Sequence, residues 1–140
     1  MDDLQERVGR SFAAQGLMET LGARLARVAE GEVWIELPFS GALSQQQGYA
    51  HAGAVTSIVD SACGYAAFTR APEGCEVVTA EFKVNFLRPA IGRHFLAVGR
   101  VAHAGRTMGV CTGEVRAFTG EDENYKVVAL MQATMVFVKS

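Results

Sequence analysis

His51-Ala52-Gly53-Ala54-Val55-Thr56-Ser57-Ile58-Val59-Asp60-Ser61-Ala62-Cys63-Gly64-Tyr65-Ala66-Ala67-Phe68 carries a single carboxylate in an otherwise small and apolar run. A stretch that is apolar nearly all round reads as a buried helix, here over about 51–70, closed by Pro72 and Gly74. A carboxylate in such a helix is costly unless it is paired, hydrogen-bonded or needed for chemistry, and this makes Asp60 the first candidate functional residue. The plainer reading is an Asp satisfied by nearby hydroxyls such as Ser57 or Ser61.

The flanking sequence supplies what must bury this helix. Leu4, Val8 and Phe12 recur at four-residue spacing and predict a short helix over 3–15, with Gly16 and Gly22 as punctuation. Strands are expected over 22–29 and 32–38 around a tight turn at Glu30-Gly31, and residues 39–50 form a polar loop. After the helix, Val78, Ala80, Phe82, Val84 and Phe86 alternate with Thr79, Glu81, Lys83 and Asn85. Strict alternation puts Thr79 on the face away from the helix. Further strands are expected over 93–104, 107–119 and 125–138, joined by short turns. Five or six antiparallel strands and one apolar helix leave one economical solution, an α+β architecture in which the sheet curls around the helix.

Composition narrows the function. At 140 residues the chain suits a single domain over 1–140, with 1–20 as an N-terminal helical segment. A net charge of −2 offers no basic footprint for nucleic acid. Cys63, Cys75 and Cys111 show no metal-ligand spacing and read as small hydrophobes in a reducing compartment. No apolar run is long enough to cross a membrane, and the acidic start Met1-Asp2-Asp3 argues against a leader. The expected location is the cytoplasm, and no metal-ligand pattern is present.

The helix start is the second candidate feature. Ala52, Gly53 and Ala54 are small, and the first amides of a helix lack internal partners and carry partial positive charge. Such amides suit a carbonyl oxygen that develops negative charge; they equally suit water or a loop. Ala52 and Asp60 are eight residues apart, about 12 Å along one helix. One carbonyl cannot be gripped at one and attacked from the other. Two antiparallel helices across a two-fold axis would bring each Asp60 to its partner's helix start, giving two composite sites. The stripe Thr56, Ser57, Asp60, Ser61 and Gly64 suits that junction or a plain packing face.

The loop glutamine, the His51-Ala52-Gly53 turn, Asp60, and the run Glu81-Phe82-Lys83-Val84-Asn85-Phe86-Leu87-Arg88-Pro89-Ala90 resemble the hot-dog-fold acyl-CoA thioesterases. The PaaI-type branch, of phenylacetate degradation, matches best, over roughly residues 20–138. The resemblance implies a hot-dog fold and hydrolysis of acyl-CoA to free acid and coenzyme A, with coenzyme A as part of the substrate and no metal or redox cofactor. It implies Asp60 as nucleophile or general base and the Ala52 amide as carbonyl donor from the opposite subunit. Gln45, six residues before the motif histidine, would hold the carbonyl or water, and Thr79 would orient water or the carboxylate. Homodimers paired into homotetramers are implied as well. The turn departs from the family in carrying Ala52 where glycine is usual, and a backbone N–H serves from alanine if φ is negative.

Other residues have supporting readings. His51 is either a base titrating near neutral pH or a histidine that shapes the helix start. Gly53 and Ser61 flank the reacting groups. Arg88 and Arg106 are candidates for coenzyme A phosphates, or solvated arginines. Two rivals stay open: a non-catalytic acyl-CoA binding module, and an acyl-thioester dehydratase or hydratase using His51 with Asp60.

Overall fold

The structure is a computed structural model and describes residues 3–140. Two helices come first, α1 (Asp3–Ala14) and α2 (Gly16–Leu21). Leu4, Val8 and Phe12 form the buried stripe of α1 as expected, with Val8 fully enclosed. The second helix was not expected; Gly16 starts it rather than breaking the chain. It ends at Gly22, whose φ of 79° allows its N–H and that of Ala23 to reach back to the carbonyls of Glu19 and Met18.

The long helix α3 (Ala52–Phe68) is the core element, and six strands surround it: β1 (Arg24–Ala29), β2 (Glu32–Pro38), β3 (Cys75–Phe86), β4 (His94–Ala104), β5 (Met108–Phe118) and β6 (Lys126–Lys139). They form one antiparallel sheet in the order β1-β2-β4-β5-β6-β3. Single extra residues at Ala26, Ala80, Ala102 and Val128 shift the register of four strands. Such bulges bend and twist a sheet, and here they let it curl around α3. This is the α+β, hot-dog arrangement.

Helix and sheet meet almost backbone to backbone. Across the sheet one inward row runs Val33, Gly99, Gly113, Met131, Val84. A Cβ on Gly99 would lie 2.4 Å from the carbonyl carbon of Ala62, and one on Gly113 would lie 2.6 Å from Cγ2 of Val59. The two central glycines therefore set the depth at which α3 sits. Around them Ile58, Val59, Ala62 and Cys63 are fully buried against Ile35, Phe95 and Met135. Each large apolar side chain enclosed in this way contributes roughly 1.5–3 kcal/mol.

The bulge at Ala80 changes the expected facing of β3. Thr79 pairs with Met135 and Phe82 with Ala133, so both share the helix side of the sheet although they are three residues apart. Val78, expected inside, is 54% exposed. Strict alternation fails because one residue is absorbed without a partner. No helix among the described residues is long and apolar enough to cross a membrane.

Candidate active site

Asp60 stands midway along α3, half-buried, and Thr79 of β3 reaches it from the sheet. The Thr79 hydroxyl donates to Asp60 Oδ1 at 2.8 Å. Neither serine expected as a partner does so: Ser57 donates to the Gly53 carbonyl at 2.7 Å and Ser61 to Gln15 Oε1 at 3.1 Å. Burial raises the Asp60 carboxyl above its ordinary range, and the Thr79 hydrogen bond partly opposes this. A carboxylate so placed is a better base than an exposed one. It opens on a cavity of about 240 Å³ lined also by Ser61, Gln15, Tyr65 and Glu76.

The other candidate residues gather at the start of α3. His51 is the N-cap: its Nδ1 accepts from the Gly53 N–H at 2.7 Å, and its carbonyl accepts from Ala54 and Val55. Gly53 leaves just enough room, since a Cβ there would meet His51 Nδ1 at 3.0 Å. Of the first helical amides, only that of Ala52 has no hydrogen-bond partner among the described residues. Ala52 is exposed, and its φ is negative, as for every described residue other than four glycines. Alanine therefore presents this N–H without backbone strain.

Gln45 organises the loop before the helix. Its Oε1 accepts from the amides of Gln47 and Tyr49 at 2.7 and 3.0 Å, and its Nε2 donates to Gln47 Oε1. Gly48, at φ 90°, allows the chain to turn there. Gln45, His51, Ala52 and Arg88 share one groove, separate from the Asp60 cavity. Arg88 donates to the Val127 carbonyl at 3.0 Å. Arg106 is exposed in the β4–β5 turn, beside the strand ends that cover the C-terminal half of α3, so the structure does not bring the two arginines together.

Two groups of candidate residues thus lie along one helix: Asp60, Thr79 and Ser61 at its middle, and Ala52, Gly53, His51 and Gln45 at its start. Gln15 and Ser11, in the cavity beside Asp60, were missed. Their four-residue spacing on a predicted helix was the available signal. Cys63 and Cys111 are fully buried; burial pushes the Cys63 thiol up, and the Cys111 thiol up to about 11, which removes both as nucleophiles. Cys75 is half-buried on the edge strand.

Residues 47–123 match the family model described as the thioesterase superfamily, more than half of the chain. The chain belongs to the thioesterase superfamily. A thioesterase family protein from Silicibacter pomeroyi has the same fold at a TM-score of 0.93, with 43% identity, covering 98% of this chain and 99% of that one. The Escherichia coli PaaI protein of the phenylacetic acid degradation operon, at 20% identity, covers 98% and 94% with a TM-score of 0.85, a likeness of fold alone. A Halobacterium salinarum protein bearing the name esterase is 30% identical over 126 residues, 86% of this chain and 82% of that protein. Membership makes thioester hydrolysis the general chemistry of this thioesterase.

Proposed function

We propose that this thioesterase hydrolyses acyl-CoA to free acid and coenzyme A at composite sites between two copies of the chain. The observation that carries this reading is the division of the site. The unpartnered Ala52 amide and the Asp60–Thr79 pair sit on the same helix, about 12 Å apart along its axis, in different cavities. A two-fold axis that sets two α3 helices antiparallel would supply each Asp60 with its partner's Ala52 amide. The edge of the sheet favours such pairing. β3 is a twelve-residue edge strand with unpaired backbone on one side and exposed Phe82 and Phe86 along it. Long apolar edges of this kind are covered in stable proteins.

In this scheme the thioester oxygen rests on the Ala52 N–H, which strengthens its hold as negative charge develops. Asp60 either attacks the carbonyl carbon, giving a mixed anhydride that water then hydrolyses to free acid and regenerated Asp60, or takes a proton from the water that attacks, with Thr79 fixing one of its oxygens. Coenzyme A leaves as the thiolate and is protonated. Gln45 shapes the loop beside the amide and has one N–H left for the carbonyl or water. His51 and Gly53 set the helix start, Ser61 flanks Asp60, and Arg88 lies in the groove where a phosphate would be welcome. Arg106 would be brought to a phosphate only from the other copy. No cofactor takes part, and the pairing of dimers into tetramers and a cytoplasmic location complete the proposal.

The test is free-thiol release from short, medium, long and aromatic acyl-CoAs, with Asp60→Asn alongside. Turnover that disappears in the variant supports the reading. Acyl-CoA binding without thiol release from any member would overturn it in favour of a binding module, and hydration of crotonyl-CoA without thiol release in favour of a hydratase.

A further inference from the structure

Gln15 occupies the N-cap position of α2, with φ −84° and ψ 103°, yet its side chain makes no capping bond to that helix. Instead it turns onto α3. Its Nε2 donates to the Tyr65 hydroxyl at 3.1 Å, and its Oε1 accepts from Ser61 at 3.1 Å. The Tyr65 hydroxyl is also 3.1 Å from Ser11 Oγ. All four side chains line the cavity that holds Asp60. One wall of that cavity is therefore polar, although α3 is apolar almost everywhere else.

The hydrogen count shows what this wall offers. A carboxamide has two N–H groups, and Gln15 uses one of them here. Tyr65 and Ser11 have two O–H groups and one bond between them, so one O–H is left whichever way that bond runs. Two donors on side chains that line the cavity thus lack a partner among the described residues. A hydrocarbon packed over them would strip their water and give nothing back, which a site built to hydrogen-bond its substrate penalises strongly. The carboxylates of Asp60 and Glu76 line the same space and repel an anionic group. Tyr65 lies five residues beyond Asp60, about 7.5 Å along the helix, so these donors sit at the far end of an acyl group whose carbonyl is at Asp60.

Building on the thioesterase reading of this cavity, we infer that Gln15, with Ser11 and Tyr65, selects acyl groups bearing an uncharged oxygen at their far end. A hydroxyl or keto oxygen meets both donors. A plain alkyl end leaves them unpaired, and a carboxylate end meets Glu76.

The experiment compares kcat/KM for hexanoyl-CoA, 6-hydroxyhexanoyl-CoA and adipoyl-CoA, chosen because a six-carbon chain spans the distance from Asp60 to Tyr65. The wild type is expected to favour the hydroxylated substrate over hexanoyl-CoA by about tenfold, with adipoyl-CoA the poorest. Gln15→Leu, of similar volume, should bring the first two to within about twofold by improving hexanoyl-CoA. Ser11→Ala removes one hydroxyl on a helix that tolerates alanine, and it should reduce the preference about threefold even if Gln15→Leu fails to fold. A wild type with no preference for the hydroxyl, or variants that lower all three rates equally, would overturn the inference and leave Gln15 as a structural latch. Loss of all three rates in Asp60→Asn keeps the thioesterase reading intact in that event. No thiol release by the wild type from any of the three or from the wider acyl-CoA panel would overturn both readings.

Discussion

The Thr79 hydroxyl binds Asp60 Oδ1 at 2.8 Å and is the sole side-chain partner of that carboxylate among the described residues. The bond joins the edge strand to the central helix and leaves Oδ2 without a side-chain partner among the described residues. It favours the charged form, and burial disfavours it more strongly, so the carboxyl rests above its ordinary value. Activity that depends on ionised Asp60 therefore falls as pH drops through this raised value. Thr79→Val should move that acid limb to higher pH and lower the neutral-pH rate about tenfold, while Thr79→Ser restores both. A pH–rate profile for kcat/KM reads the shift.

Asp60→Asn should cost at least about a hundredfold in kcat, the scale of a lost general base or nucleophile. The same change should stabilise the fold. A carboxyl with a raised pKa in the folded state is a liability that begins as pH rises above the unfolded carboxyl's pKa and is complete above the folded one, because folding then buries a charge. The neutral amide escapes it and still accepts from Thr79. Melting temperature at neutral pH should rise above that of the wild type. The gain should vanish below the unfolded carboxyl's pKa, where both side chains are neutral.

Ala52→Pro tests a backbone atom by substitution. Proline is favoured at the first position of a helix, and the preceding His51, at φ −64° and ψ 138°, already has the extended conformation proline requires. The variant should melt within about 2 °C of wild type while losing the unpartnered N–H. A loss of about a hundredfold to a thousandfold in kcat is expected for an oxyanion donor. Unchanged kcat would remove the Ala52 amide from the mechanism.

The two variants complement each other if the site is shared between copies. Equal mixing of Asp60→Asn and Ala52→Pro subunits makes about half of all dimers mixed, each with one intact site and one doubly damaged. About a quarter of wild-type activity should return after subunit exchange, followed as thiol release against the exchanged fraction by native mass spectrometry.

Gly99→Ala should destabilise the fold by about 3 kcal/mol or more. Its Cβ would overlap the Ala62 carbonyl, and a helix backbone anchored over its whole length cannot retreat locally. Gly113→Ala should cost less, about 1–3 kcal/mol, because Val59 Cγ2 and Cys63 Sγ are side-chain atoms that can shift. Urea denaturation would rank the two.

Much of this was legible from the chain, and the exceptions have physical causes. The buried helix, the strands and the isolation of Asp60 follow from apolar periodicity, which governs long regular elements. Thr79 was misplaced because a bulge has no signature in an alternating pattern; Ala80 looks like any other residue of the strand. The second helix escaped notice because Gly16 serves as its first residue, where no side chain is needed. Gln15 was missed for a different reason, since its spacing from Ser11 marks a shared helix face but not what that face meets. Its partners Ser61 and Tyr65 are 46 and 50 residues away, and only the folded chain brings them together. The two groups of candidate residues were separable beforehand because helix rise is fixed, whatever the rest of the chain does.

The extra residue at Ala80 also bears on how this chain tolerates changes of length. Removing Ala80 alone would straighten β3 and leave Thr79 facing the helix, Glu81 outside and Phe82 inside, because the bulge is where the surplus residue is stored. Removing Lys83 instead would use up the same surplus residue while Thr79 and Val84 keep their partners, but it would exchange Glu81 and Phe82 across the sheet, carboxylate to the helix side and ring to the outside. Two deletions three positions apart on one strand, both at exposed residues, thus differ in outcome because of where the surplus residue is stored.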